Sequence, residues 1–289
     1  MVDHYGFVGL GQMGGPMARN IGKHVPKLYV HDKAGVEPKK SSSNFVTVSK
    51  LSDLITKATT IFLSVTDADA TLSIAKIILA TSNRKTKTVI DLSTIGPEAA
   101  RNASRLLSKS QIEYIDAPVS GGVIGAKNGS ITIMWAGSHE SFSFYENILQ
   151  SFTKNQFYVG NEPGQGQALK ILNNFLSGTA MLATSEAIHY GISQGLEMKT
   201  MLDVINVSTG QNTATRDKFP DRILTKTFDA GFKTSLLTKD LQLFLKNTQT
   251  AGTPNEISKQ VTKIWEKCNI ALPESDMTQI YNYLKEEDN

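Results

Sequence analysis

Apolar residues recur in two rhythms along the 289-residue chain, and the change of rhythm divides it. Up to about residue 160, short apolar runs alternate with segments of helical spacing. Runs ending near Val8 and His31, followed by runs at 60–65, 88–92, 112–115, 131–135 and 156–159, read as strands. Segments 51–58, 67–80, 97–109 and 140–152 place apolar side chains three and four residues apart, as one face of a helix requires. Pro97-Glu98 suits a first helical turn, since proline lacks only an N–H that has no intrahelical partner there. This alternation predicts a mostly parallel sheet with helices on both faces. A Gly/Pro cluster, Gly160-Asn-Glu-Pro-Gly164, marks a boundary. Beyond it no convincing strand is found. Residues 164–195 read as one helix of about 30 residues, roughly 45 Å long, which suits an interdomain connector or a subunit interface. Shorter helices follow at 199–208, 236–248, 255–269 and 275–285. The expected division is an α/β domain over 1–162 and an all-α domain over 163–289.

The first strand runs directly into Gly9-Leu10-Gly11-Gln12-Met13-Gly14, and 13–23 reads as a helix. In a strand–G-x-G-x-x-G–helix unit the first glycine makes the tight turn. The second lets backbone approach a pyrophosphate, and the third lets helix and strand pack closely. The phosphates sit on free N–H groups at the positive end of the helix. The second strand, 27–31, ends in Asp32, 18 residues after Gly14 and near the spacing at which a carboxylate binds a ribose diol. Fingerprint, strands, helix and acid together predict an N-terminal Rossmann dinucleotide-binding domain. The negative charge of Asp32 disfavours a 2′-phosphate, so NAD is expected ahead of NADP; Lys33 and His31 beside it soften that preference.

Composition narrows the classes that remain. Hydrophobic residues at 40% and charged residues at 20% describe an ordinary globular protein, long enough for a sizeable core. A net charge of +3 with scattered basic residues is no nucleic-acid footprint, and Lys39-Lys40 and Arg84-Lys85 read as short solvated clusters. The single cysteine, Cys268, excludes an internal disulfide and a cysteine-based metal site, and the five histidines show no ligand spacing. No metal and no nucleic-acid or membrane partner is expected. Met1-Val-Asp-His has no secretory pattern, and no run approaches the roughly 20 apolar residues of a membrane span, so the expected location is the cytoplasm.

Two further segments carry candidate chemistry. In Gly164-Gln-Gly-Gln-Ala-Leu-Lys170-Ile-Leu-Asn173-Asn174, Lys170 and Asn174 are four apart and share a helical face. A lysine on so apolar a helix either snorkels to water or works as a proton donor and acceptor; a dinucleotide fingerprint in the same chain favours the second. Asp116-Ala-Pro-Val-Ser120-Gly121-Gly122 follows a strand and leads on to Gly125 and Gly129. Glycine weakens helix and strand alike, so this segment is expected as a loop whose N–H groups and Ser120 hydroxyl receive a carboxylate.

At this point the chain resembles the β-hydroxyacid dehydrogenases, the family of 3-hydroxyisobutyrate dehydrogenase and tartronate semialdehyde reductase. The resemblance covers essentially the whole chain. It rests on residues 6–20, on Asp116 to Gly122, on Gly164-x-Gly-x-x-x-Lys170-x-x-x-Asn174 and on the pair Lys239-Asp240. It implies a Rossmann domain followed by an all-α domain with a long interdomain helix, assembled as a homodimer or homotetramer. It also implies oxidation of small 3-hydroxy acids or reduction of their semialdehydes. By position Lys170 is the catalytic general acid/base, while Ser120, Gly121, Gly122 and Asn174 bind the substrate carboxylate and backbone. Gly9, Leu10, Gly11, Gln12, Met13, Gly14, Asp32, Val65, Thr66, Thr94 and Lys239 line the cofactor. Val65-Thr66 stands where the family often has Leu-Pro, and Trp135-Ala-Gly137 replaces a run of small residues. These departures bear on adenosine contacts and substrate choice. Asn212, Thr213, Arg216 and Phe232 are candidates for the far end of the substrate pocket on loop placement alone.

The expected chemistry follows. A neutral Lys170 takes the hydroxyl proton while hydride leaves the same carbon for the nicotinamide. Burial and the cationic ring are expected to draw the lysine pKa down from about 10.4. Three other readings compete. A non-catalytic NAD-binding scaffold has no use for an amine on that face. An imine or ketone reductase of the same architecture usually lacks the lysine and favours NADP. A sugar-phosphate dehydrogenase needs a larger second domain and more arginines than Arg216 and Arg222.

Overall fold

A computed structural model describes residues 4–35 and 44–287; Lys39-Lys40, the first three residues and the last two lie outside the described residues. The chain divides into two compact units, Met1–Lys170 and Ile171–Asn289.

The first unit is built on a nine-stranded sheet. Its strands are β1 (Tyr5–Val8), β2 (Leu28–His31), β3 (Phe45–Thr47), β4 (Thr60–Leu63), β5 (Thr88–Asp91), β6 (Glu113–Asp116), β7 (Val119–Ser120), β8 (Ile131–Ala136) and β9 (Thr153–Gly160). The order is β3-β2-β1-β4-β5-β6-β8-β7, with β9 also on β8. The six strands β1 to β6 form a parallel block. There β4 and β5 are buried along their whole length, as a sheet covered on both faces demands. Side chains alternate between the two faces. Phe7, Phe62 and Ile90 point into one layer with α1 (Gly14–Gly22), α5 (Gly122–Asn128) and α6 (His139–Gln150). Val8, Ile61, Leu63 and Val89 point into the other with α2 (Leu51–Ile55), α3 (Ala68–Ala80) and α4 (Pro97–Ser108). The helix starts follow local chemistry. Asp67 caps α3 by accepting from Ala70 N–H, Ser138 caps α6, and Pro97 opens α4 after Gly96.

The parallel block gives way at β8. Asp116 at the end of β6 pairs antiparallel with Ala136, and β7 pairs antiparallel with Ile133 and Thr132. β9 runs beside β8 in the same direction and also finishes level with Ala136. Three elements here depart from the sequence reading. β3 and β7 are strands of three and two residues, too short to show a period, and α5 occupies what was expected to be loop.

The long helix α7 (Gln165–Ser193) begins in the first unit and continues into the second. The second unit is helical, with α8 (Met198–Ile205), a π-helical segment Ala214–Ile223, α9 (Thr234–Ala251), α10 (Glu256–Ala271), a 3-10 turn Met277–Gln279 and α11 (Ile280–Glu287). Met181, Leu237, Leu241, Phe219, Trp265 and Ile280 make its core. Trp265 Nε1 donates to Gly178 O at 3.2 Å, and Gly178 has no side chain to obstruct Leu241 of α9. The π-helical segment was not foreseen, because Asp217 and Pro220 interrupt any helical pattern. Cys268 is buried in the core of this unit. Among the described residues, no helix is long and apolar enough to cross a membrane, and no group of His, Cys, Asp or Glu could hold a metal.

Candidate active site

Strand register aligns Val8, His31, Leu63, Asp91 and Asp116 in one row across the carboxyl edge of the parallel block. Gly9, Asp32, Ser64–Thr66, Leu92–Thr94 and Ala117-Pro118 therefore all follow the parallel strands at the same edge. Strand order reverses between β1 and β4, and the crevice outside such a reversal is where open α/β sheets hold ligands.

The three fingerprint glycines have different reasons to be glycine. Gly9 has φ +93°, and a Cβ there would run into Ser64 O. A Cβ on Gly14 would strike Gly9 O, so its absence lets α1 start against β1. Around Gly11 nothing lies within 4 Å of a built Cβ. The protein's own packing does not explain that glycine, whereas the approach of a pyrophosphate does. Met13 caps α1 without a side-chain bond, and no acid sits in the first turn, so the N–H groups of the helix start face no competing anion there. Leu10 and Met13 put their side chains into the core, and Gln12 is exposed. Asp32 accepts from Leu10 N–H at 2.6 Å and from Ala34 N–H at 2.8 Å. The acid is thus held against the fingerprint turn. An open glycine, an uncapped helix start and an adjacent carboxylate fit a dinucleotide.

Next along the edge, Val65 N–H donates to Ser93 Oγ at 2.9 Å, and Thr66 Oγ1 donates to Asp67 at 2.7 Å. Thr94 is half-buried at the end of β5. Ser120 lies in β7 opposite Thr132, and Gly121 and Gly122 take φ values of +130° and +64°. The expected loop is instead a strand that turns on two left-handed glycines into α5. Gly125 supports this helix by bringing it against Ile131, with 3.2 Å from a built Cβ to Cγ2. Asn20 of α1 donates to Ala126 O at 2.9 Å and so fixes its far end. Trp135 is fully buried against Phe142 and Tyr145, which makes it packing.

Lys170 is only 8% exposed. The first turn of its helix is tied to the strand edge by side chains that sequence reasoning did not single out. Asp116 accepts from Gly164 N–H at 2.9 Å, from Gln167 N–H at 3.0 Å and from Gln167 Nε2 at 2.8 Å. Gln167 also donates to Ser93 O, and its Oε1 accepts from Ile95 and Gly96 N–H. Asp91 accepts from Thr71, Tyr114 and Ser93 N–H. Burial pushes the Asp116 carboxyl up to about 7, against the downward pull of the bonds from Gln167 and Gly164. Burial also raises Asp91, and it raises Tyr114 together with the charges of Asp91 and Asp116. The available signal was two acids each closing an apolar strand, and a glutamine three residues before the lysine.

In the second unit Asn174 Nδ2 donates to Asp240 Oδ2 at 2.6 Å, and Lys239 Nζ stands 3.3 Å from Asp240 Oδ1. Lys239 is the accessible member of this group, with its side chain 31% exposed, whereas Asn174 and Asp240 are buried. Asn212 spends its carboxamide on Ala214 and Thr215 N–H and on Thr184, which starts the π-helical segment. Arg216 pairs with Asp217 at the surface, and Phe232 packs on the core.

Comparison with known proteins gives two family models. Residues 4–160 match the NAD binding domain of 6-phosphogluconate dehydrogenase. Residues 164–284 match the NAD-binding domain of NADP-dependent 3-hydroxyisobutyrate dehydrogenase. Mitochondrial 3-hydroxyisobutyrate dehydrogenase of Mus musculus is 30% identical over 98% of this chain and 87% of its own length. The 2-(hydroxymethyl)glutarate dehydrogenase of Eubacterium barkeri is 32% identical over 90% and 87%. Among solved structures, Mycobacterium tuberculosis 3-hydroxyisobutyrate dehydrogenase with L-serine superimposes with a TM-score of 0.88 at 25% identity, over 98% of this chain and 99% of that one. An imine reductase from Bacillus cereus, with a TM-score of 0.63 at 18% identity over 98% and 99%, shares the fold. A fingerprint edge shaped for a dinucleotide, a helical second unit and relatives along nearly the whole chain lead to one conclusion: the chain belongs to the β-hydroxyacid dehydrogenase family of NAD(P)-dependent oxidoreductases.

Proposed function

We propose that this enzyme uses Lys170 as the general acid/base in the interconversion of a short 3-hydroxy acid and its semialdehyde, with NAD as the preferred cofactor. The observation that carries the reading is a lysine shielded from water in the first turns of α7, on a helix start bonded to the carboxyl edge that also bears the fingerprint. Gly11, the start of α1 and Asp32 hold the dinucleotide, with Val65, Thr66 and Thr94 further along the same edge. When bound, the nicotinamide accepts or returns the hydride. Ser120 and the N–H groups after it receive the substrate carboxylate, and Asn174, fixed by Asp240, orients the substrate. In oxidation the Lys170 amine takes the hydroxyl proton; in reduction its ammonium form returns one to the new alkoxide. Lys239 contacts cofactor or substrate from the second unit.

A carboxylate held by Ser120 and a hydroxyl facing Lys170 are bridged by a short carbon chain, which selects 3-hydroxy over 2-hydroxy acids. The division at residues 162 and 163 separates the NAD(P)-binding Rossmann domain from an all-α substrate and dimerisation domain. The enzyme acts in the cytoplasm as a homodimer or homotetramer. The exposed Leu172, Leu176 and Tyr190 of α7 support a subunit contact.

The test is a panel of short 3-hydroxy acids and semialdehydes with NAD and NADP, run on wild type and Lys170→Ala. Turnover should fall by about 10²–10⁴ in the variant while NAD binding persists. Near-wild-type kcat in Lys170→Ala would remove the mechanism.

A further inference from the structure

Gln167 stands three residues before Lys170 on one face of α7, and its side chain is fully buried. Every polar capacity of its carboxamide is engaged. Nε2 donates to Asp116 Oδ1 at 2.8 Å and to Ser93 O at 2.9 Å. Oε1 accepts from Ile95 N–H at 2.8 Å and Gly96 N–H at 3.0 Å. The second oxygen of Asp116 takes two of the N–H groups that a helix start leaves without partners, those of Gly164 and Gln167. One carboxamide and one carboxylate thereby join three segments: the end of β5 with Thr94, the end of β6 leading to Ser120, and the start of α7 with Lys170.

A core-filling side chain at 167 needs only shape, and leucine or methionine supplies it. Two donors and two acceptors, all matched in a dry interior, specify a carboxamide and a single arrangement of the segments around it. We propose that Gln167 and Asp116 form a positioning clamp that sets where the Lys170 amine stands against the Thr94 and Ser120 segments. The inference rests on Lys170 being the acid/base group. Neither clamp residue touches substrate in this scheme; both act through the helix start. A displacement of about 1 Å at a reacting group costs on the order of 10²-fold in rate, which is the scale at which such a clamp acts.

Gln167→Glu keeps the shape and the two acceptors but sets a second carboxyl against Asp116, so the pair must share a proton. The groups bearing on that pair are Asp91 of β5 and Tyr114 of β6, with the Arg101 guanidinium of α4 against Gly164. In the full-length enzyme with NAD and 3-hydroxyisobutyrate, kcat should fall about 10²-fold. It should fall further as pH rises, along a limb that wild type lacks, while the Kd for NAD stays within about twofold because the fingerprint is untouched. The double variant Asp116→Asn/Gln167→Glu restores one donor facing one acceptor. It should recover at least about tenfold in kcat, which is 1.4 kcal/mol, and lose the extra limb. A structural role alone would not produce rescue by exchange of donor and acceptor. Wild-type kcat in Gln167→Glu, or a double variant no better than the single, would overturn the clamp. If Gln167→Glu does not fold, the double variant decides by itself: kcat within tenfold of wild type upholds the clamp, and a greater loss at an unchanged Tm overturns it. Lys170→Ala, assayed alongside, separates the two levels. Turnover down by about 10²–10⁴ there and intact in Gln167→Glu would refute the clamp alone. Near-wild-type turnover in Lys170→Ala would refute the reading beneath it.

Discussion

Alanine at Gly11 and alanine at Gly14 should have opposite effects, although the two glycines belong to one turn. At Gly14 the new methyl meets Gly9 O, with Gly9 C and Ser64 Cβ each at 3.0 Å. The obstacle is backbone of the central strand's exit, which cannot swing aside as a side chain can. Overpacking of this kind costs about 1–3 kcal/mol. Alanine's helical advantage over glycine, about 1 kcal/mol, offsets only part of it. At about 2–4 °C per kcal/mol for a unit of this size, Gly14→Ala should lower Tm by several degrees. At Gly11 nothing lies within 4 Å and φ is not positive, so alanine fits without strain. It should raise stability by about 0.4–1 kcal/mol through the unfolded chain. Its methyl nonetheless fills the place through which a pyrophosphate reaches the backbone. The Kd for NADH, followed by fluorescence titration, should therefore rise about tenfold, or 1.4 kcal/mol. Thermal melts and titrations of both variants decide the matter. Unchanged NADH affinity in Gly11→Ala would show that the open space has another purpose, and a Tm loss equal to that of Gly14→Ala would show that the space is not open.

Asp32→Asn retains an acceptor for the fingerprint turn but removes the charge, so the ratio of kcat/KM with NADP to that with NAD should rise about tenfold; an unchanged ratio would mean that Asp32 does not read the ribose. Asp116 titrates near 7 when folded and near its ordinary 3.8 when unfolded, so the folded state holds the extra proton in between. Its contribution to stability is present at pH 4 and is lost as pH rises toward 7, with a slope of up to about 1.4 kcal/mol per pH unit. Urea unfolding of wild type and Asp116→Asn across that range should give a difference that changes with pH, and a constant difference would refute the assignment.

The centre of the parallel block was legible because β4 and β5 are buried along their whole length, with no polar residue inside either run; β3, three residues long and with no buried residue, was not. The fingerprint was legible because glycines at fixed spacing have few other uses. What escaped was set by distant partners. α5 contains Gly122 and Gly125, which local propensity counts against a helix, yet Asn20 holds one end of it and a side chain at 125 would crowd Ile131. Gln167 looked like any helical glutamine. Its significance comes from Asp116, 51 residues earlier, which a periodicity argument cannot pair with it. The π-helical segment depends on Asn212 bonding Thr184 across 28 residues, and Pro220 hides it further.

The reversal of direction at β8 has an architectural consequence. Because β8 meets β6 only through its final residue, the five steps from Ile131 to Ala136, about 17 Å of ladder, stand beyond the line on which the parallel strands stop. Here Ser120 is mounted on a hydrogen-bonded parapet, so under the proposed function the substrate carboxylate would have to adjust to a fixed anchor.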